Sequence, residues 1–172
     1  MNYDYVFKVC IFGEEGVGKT SLIQRLGIFE IDMFYEATFN VDIKKRHFQV
    51  ANKEVLLKLW DIKKTIKDES FYTSYFRKID GGIFVFDITN KASLTILGEW
   101  LKKFNQKNIP IIVVGNKADL KKQRSISDEE VNKIKDKYSI IKYVETSAKI
   151  GENIYTIFEF LIFDLLKNQK VN

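Results

Sequence analysis

One stretch near the start of the chain carries residue types at a spacing that could do chemistry. It is Gly13-Glu14-Glu15-Gly16-Val17-Gly18-Lys19-Thr20, which fits G-x-x-x-x-G-K-[ST]. A triphosphate is multiply charged, and a glycine-rich loop can curl its backbone N–H groups around it. Gly16 and Gly18 permit conformations that a Cβ would forbid, so the backbone can come close to the anion. Lys19 supplies a point charge for the β- and γ-phosphates, and Thr20 a hydroxyl oxygen for Mg²⁺. The helix that follows aims its unpaired N–H groups at the phosphate.

Such a loop works only in context. Val6 to Phe12 ahead of it is a mostly apolar run of strand length, and Ser21 to Leu26 behind it reads as helix, with Gly27 as its C-cap. A glycine turn that binds nothing is the bland alternative, and the strand–loop–helix order weighs against it.

The rest of the chain continues the alternation. Val41 to Val50 and Glu54 to Trp60 flank the short polar turn Ala51-Asn52-Lys53 and should pair as an antiparallel hairpin. Gly82 to Phe86 and Ile111 to Val114 are wholly apolar apart from one glycine, as suits central parallel strands covered on both faces. Ile140 to Glu145 is a further, weaker strand. Leu94, Leu97, Leu101 and Phe104 recur at helical spacing, with Ser93 as the expected N-cap. Ser127-Asp128-Glu129-Glu130 is a capping box that opens a helix with Val131 and Ile134 facing inward. Ile154, Ile157, Phe158, Leu161, Ile162, Leu165 and Leu166 form an apolar stripe on a last helix, read as core packing. The pattern implies a doubly wound α/β sheet, with ligands beyond the carboxyl ends of its strands.

Asn116-Lys117-Ala118-Asp119 falls at such an end, after the strand Ile111 to Val114 and Gly115. Here the chain resembles the Ras-like small GTPases, whose guanine-binding signature is N-K-x-D. The chemistry agrees with the resemblance. An ionised carboxylate only accepts hydrogen bonds, so Asp119 can take the adjacent N1–H and N2 amine of guanine together. Adenine has no such pair on that edge, and the stem of Lys117 can lie over the ring. Glu145-Thr146-Ser147-Ala148-Lys149 looks like the family's E-T-S-A-K, which closes over the base. The resemblance implies nucleotide contacts from Glu15, Gly16, Val17, Gly18, Lys19, Thr20 and Ser21 on the phosphate side. On the base side it implies Asn116, Lys117, Asp119, Ser147, Ala148 and Lys149. It implies GTP/GDP and Mg²⁺ as cofactors, the ion held by Thr20, Thr38 and Asp61, which are oxygen donors as Mg²⁺ requires. Asp87 and the strand before it also match the family pattern.

The resemblance runs along nearly the whole chain and is nearest to the Rab branch. Its marks are Val41-Asp42-Ile43-Lys44, Leu59-Trp60-Asp61 and Tyr75-Phe76-Arg77, with Ile43, Trp60 and Tyr75 where Rabs place the hydrophobic trio that reads the switch state. It implies one domain over residues 1–172 with the P-loop NTPase fold: a six-stranded, mostly parallel sheet with one antiparallel edge strand, flanked by about five helices. It further implies a molecular switch in vesicle traffic, monomeric, read by effector and exchange-factor proteins at its switch loops.

Composition sets the outer bounds. At 172 residues, 45% hydrophobic and 30% charged, the chain is balanced like one soluble globular domain. The net charge of +5 is spread out apart from Lys63, Lys64 and Lys67, and does not argue for nucleic acid. Cys10, the sole cysteine, permits no intrachain disulfide, fits a reducing compartment and reads as a small buried thiol. No signal peptide or membrane-spanning run is evident. Lys167 to Asn172 holds no cysteine for prenylation, so no direct membrane anchor is expected in this chain. The expected place is the cytoplasm, or the cytosolic face of a membrane reached through partners or a lipidated tail.

Three departures from the family bear on activity. Members read W-D-T-A-G-Q-E where this chain reads Trp60-Asp61-Ile62-Lys63-Lys64-Thr65-Ile66. Lys64 replaces a glycine whose N–H meets the γ-phosphate, and Thr65 replaces the glutamine that orients the attacking water. No catalytic residue is therefore assigned, and slow hydrolysis is expected. Glu15 replaces a small residue beside the γ-phosphate. A carboxylate about 4 Å from a phosphate charge is repelled by about 4 kcal/mol at an effective dielectric of about 20, so Glu15 must turn to solvent or meet a cation such as Lys63 or Lys64. Two function classes follow: a slow GTP-hydrolysing switch, or a non-hydrolysing scaffold that keeps the nucleotide as a structural ligand. A nucleotide kinase would leave Asn116 to Asp119 unexplained.

The third departure concerns retention. Ile31 stands where an aromatic residue covers the guanine edge, though Phe29 or Phe34 could substitute, and Ala37 stands where proline precedes Thr38. GDP is expected to leave faster than from typical relatives; a fluorescent-GDP chase showing very slow release would refute this.

Overall fold

The computed structural model describes residues 2–27, 30–31, 41–62, 78–104, 109–138 and 140–169. Its frame is one sheet in the order β2-β3-β4-β1-β5-β6-β7. These strands are β1 (Tyr5–Phe12), β2 (Glu30–Ile31), β3 (Val41–Val50), β4 (Lys53–Ile62), β5 (Gly81–Asp87), β6 (Ile111–Asn116) and β7 (Lys142–Glu145). β4, β1, β5, β6 and β7 run parallel, while β3 pairs antiparallel with β4. The expected six strands are thus present, and the two-residue β2 extends the sheet beyond β3. Four α-helices and one 3₁₀ helix accompany it among the described residues: α1 (Lys19–Arg25), α2 (Lys91–Phe104), the 3₁₀ helix (Ala118–Gln123), α3 (Asp128–Lys137) and α4 (Ile154–Gln169).

Side-chain alternation divides the core into two layers. Phe7, Val9 and Ile11 of β1 point to one face and pack with Leu22 and Ile23 of α1 and with the stripe Ile157, Phe158, Leu161 and Leu165 of α4. Cys10 and Phe12 point to the other, against Leu97, Trp100, Leu101 and Phe104 of α2 and Val131 of α3. Phe12 stacks on Phe84 at 4.7 Å and tilts against Phe104 at 4.6 Å, so the second layer is aromatic where β1 ends. Every residue of β5 and β6 is buried, as their wholly apolar runs require. Each such large side chain contributes roughly 1.5–3 kcal/mol by leaving water. Leu166 of the predicted stripe is only partly buried, at the edge of the first layer.

The hairpin turn is shorter than expected. Val50 pairs directly with Lys53, leaving Ala51 and Asn52 as a two-residue loop with φ of 50° and 61°. Both values are positive, as a turn of type I′ demands if the strands are to keep their twist. Ser93 is likewise not the cap of α2. Asn90 is, its Oδ1 accepting from Ala92 N at 3.0 Å. Ser93 lies buried in the first turn instead, where its hydroxyl accepts from Asp87 N at 3.0 Å and donates to Asn90 O at 2.7 Å. A short hydroxyl can be buried in this way because nearby backbone satisfies it.

The capping box of α3 is present: Ser127 Oγ accepts from Glu130 N at 3.3 Å, and the Glu130 carboxylate accepts from Ser127 N at 2.8 Å. Ser127→Ala should therefore lower stability by about 1 kcal/mol, seen as a lower urea midpoint with unchanged slope.

Candidate functional site

β1 is the point where the chain's course divides: β4 lies on one side of it and β5 on the other. Open α/β sheets bind ligands outside the strand ends at such a point. The segment after Phe12 crosses this crevice. Gly13 has φ of 142°, and a Cβ there would meet Val85 O at 2.2 Å. Gly18 has φ of 98°, and its Cβ would meet Asn116 Nδ2 at 2.3 Å. Only glycine satisfies both the backbone sign and the space.

Lys19 opens α1 and turns back under the loop. Its ammonium donates to Gly13 O and Glu14 O, each at 2.8 Å, and the residue is 5% exposed. Two of its three donors therefore hold the loop in shape, leaving one for an anion. Burial pushes this ammonium below the usual lysine range, while the carboxylates of Asp61, Glu15 and Glu14 pull it partly back. Glu15 itself is exposed, and the lysines expected as its alternative partners, Lys63 and Lys64, lie outside the described residues.

Asn116 ends β6 and is buried. Its Nδ2 donates to Val17 O at 2.8 Å, and its Oδ1 accepts from Thr146 Oγ1 and Ala148 N, both at 3.1 Å. Its Oδ1 and one of its two N–H donors are tied to protein, so it acts as a strut between three loops while one N–H stays open for a ligand. Next to it, Lys117 adopts φ of 67° and sends its ammonium to Asp87 Oδ2 at 2.6 Å. Asp119 Oδ1 accepts from Ser147 Oγ at 2.6 Å, which orients the carboxylate while leaving lone pairs for other donors. Ala118 N donates to Thr146 O at 2.9 Å, bringing N-K-A-D against E-T-S-A-K.

Outside the crevice, Arg124 clamps Glu145 at 2.6 Å, and Tyr143 donates its hydroxyl to the same carboxylate at 2.8 Å. Burial alone would raise the Glu145 carboxyl, but Arg124 and Tyr143 outweigh it and the net displacement is downward. Between the phosphate-type loop and these segments lies a cleft of about 380 Å³. Gly16, Gly18 and Ser21 line one side of it, and Asn116, Lys117, Asp119, Ala148 and Lys149 the other. Leu120 also lines it. The motifs do not single out Leu120, although its place directly after Asp119 signals an apolar residue beside a flat base.

The Ras family model matches residues 8–167 of this chain. The chain is 32% identical to Ras-related protein Rab-11B of Dictyostelium discoideum, covering 98% of this chain and 80% of that protein. It is 31% identical to Ras-related protein Rab-8B of Homo sapiens, covering 99% and 84%. Against GTP-binding protein ypt3 of Schizosaccharomyces pombe, the identity is 30%, covering 96% and 78%.

The chain belongs to the Ras family, in its Rab-like branch. It is thereby a GTPase switch of the Rab and Ras type, a family that binds GTP or GDP, with Mg²⁺ as a rule. This Rab-like protein has oxygen groups that suit the ion. Thr20 Oγ1 donates to Asp61 Oδ2 at 2.6 Å, and Asp61 Oδ1 is fully buried with no hydrogen-bond partner among the described residues. A hydroxyl beside one carboxylate with spare lone pairs is the oxygen-rich, weakly chelating setting in which Mg²⁺ keeps its waters. Thr38, the third expected ligand, lies outside the described residues. So do Lys63, Lys64 and Thr65, and with them Phe29, Phe34 and Ala37. Of the hydrophobic trio, Ile43 is buried, Trp60 is half-buried with Lys8 Nζ 3.7 Å over its ring, and Tyr75 lies outside the described residues. No helix among the described residues is long and apolar enough to cross a membrane.

Asn116→Ala would cut all three loop ties at once. The loss should weaken GDP binding by about 3 kcal/mol, roughly 100-fold, read by titration calorimetry.

Proposed function

We propose that residues 1–172 form a single guanine-nucleotide switch domain that hydrolyses GTP slowly. The observation that carries this reading is the Asn116 amide, which joins the loop suited to phosphate to the two loops suited to guanine around one cleft. Glu15, Gly16, Val17, Gly18, Lys19, Thr20 and Ser21 hold the phosphates, chiefly through backbone N–H groups and the Lys19 ammonium. Asp119 selects guanine by accepting its two adjacent donors, Lys117 covers the ring with its stem, and Ser147, Ala148 and Lys149 close the far edge. Thr20, Thr38 and Asp61 hold Mg²⁺, which when bound neutralises charge developing on the phosphoryl oxygens.

Hydrolysis transfers the γ-phosphoryl group to water without a covalent intermediate. Lys19 and the loop backbone stabilise charge that grows on the group as it moves. The water itself has no strong orienting residue. Threonine at position 65 is too short to replace glutamine from the same backbone position, and Lys64 puts a side chain where a glycine N–H normally serves. Effector and exchange-factor proteins are the proposed partners, acting at the switch loops of a monomer in vesicle traffic. The proposed place is the cytoplasm or the cytosolic face of a membrane.

The same replacements favour a second reading, in which the nucleotide is a structural ligand of a non-hydrolysing scaffold. Single-turnover assays on bound GTP separate the two. The native chain should turn over slowly, and Lys64→Gly with Thr65→Gln should accelerate it by roughly tenfold or more. No turnover in either form, with partner binding equal in both nucleotide states, would establish the scaffold.

A further inference from the structure

Asp87 ends β5 one position before the crevice, and the family resemblance gave it no task. The parallel register sets it beside Asn116, so the next residue of β6's strand path, Lys117, can reach back to it. The Asp87 side chain is 9% exposed, and its two oxygens are used differently. Oδ1 accepts from Thr89 N at 2.8 Å and from Thr89 Oγ1 at 2.7 Å. Oδ2 meets the Lys117 ammonium at 2.6 Å. Burial alone would raise this carboxyl, but Lys117 and the Thr89 donors outweigh it and hold it below the usual aspartate range.

We propose that Asp87 is a positioning residue for purine binding, holding Lys117 so that its methylene stem is already drawn across the cleft before the nucleotide arrives. This rests on the guanine-nucleotide reading above. The stem is fixed at both ends. At one end the backbone takes the left-handed conformation, φ 67° and ψ 35°. At the other the ammonium is tied to a carboxylate that Thr89 prevents from turning. A lysine left loose loses rotamer freedom when a ring packs on it; one already stretched does not. The pair is also a poor stabiliser of the fold, because the Lys117 side chain is 35% exposed and solvent screens the attraction. Its effect therefore falls on ligand residence and not on folding.

Asp87→Asn isolates the effect. The carboxamide oxygen still accepts from Thr89, but its NH₂ cannot pair with an ammonium. The measurement is release of a fluorescent GDP analogue from the full chain, for the native protein, Asp87→Asn, Lys117→Ala and the double variant. Asp87→Asn should release GDP roughly tenfold faster, and the double variant no faster than Lys117→Ala alone, since Asp87 acts through Lys117. The thermal midpoint without nucleotide and the affinity for inorganic tripolyphosphate should stay as in the native protein. An Asp87→Asn release rate within about twofold of native, or a double variant that multiplies the two single effects, overturns the proposal. If Asp87→Asn does not fold, Thr89→Val, which removes one donor to Oδ1, is read the same way. A native chain that does not prefer GDP over ADP overturns the guanine reading and this proposal together. A native preference with unchanged release in Asp87→Asn overturns this proposal alone.

Discussion

The site depends on one buried carboxamide. Asn116 sits in a dry position at the end of a central strand, and each polar end of its side chain is spent on another loop. Buried hydrogen bonds of this kind gain strength from the low local dielectric, and any partner left alone there is costly. The constraint reaches the backbone as well. Gly18 lacks a Cβ at the place where one would strike the Asn116 amide, so the glycine and the asparagine are two halves of one requirement. Loosening it would let the phosphate-side and base-side walls of the cleft drift apart.

Around that strut the sheet supplies position and the ion pairs supply orientation. β1, β5 and β6 are held between two apolar layers, so their carboxyl ends are fixed relative to one another. Lys19 braces the first loop from below, Thr89 and Asp87 brace Lys117, Ser147 braces Asp119, and Arg124 braces Glu145. In each case a side chain suited to ligand contact, or a loop that carries one, is tied by a neighbouring side chain. Such preorganisation lowers the entropy lost on binding.

The chain departs from the family on the γ-phosphate side and, at Ile31 and Ala37, around the segment that covers the nucleotide. Asn116 to Asp119 and Glu145 to Lys149 follow the family closely, while Glu15, Lys64 and Thr65 depart from it. Glu15 is exposed, and Lys19 feels its carboxylate only as a partial offset to burial.

Much of the architecture was legible because it follows from periodicity. The α4 stripe, the α3 capping box and the apolar runs of β5 and β6 are local patterns, and local energetics suffice to place them. The two-residue hairpin turn and the start of α2 lie one to three residues from where the local pattern predicts them. Ala51 in a positive-φ turn and Ser93 as a buried bridge are choices made by tertiary packing against propensity. At the cleft, residue types and spacing alone determined that a polyphosphate loop and a guanine-type motif were present and lay at strand ends. Only the folded sheet decided that Asn116 is a strut, that Asp87 reaches Lys117, and that Asp61 Oδ1 is buried beside Thr20. Those are contacts between segments tens of residues apart, set by strand register, and no local pattern encodes a register between distant strands.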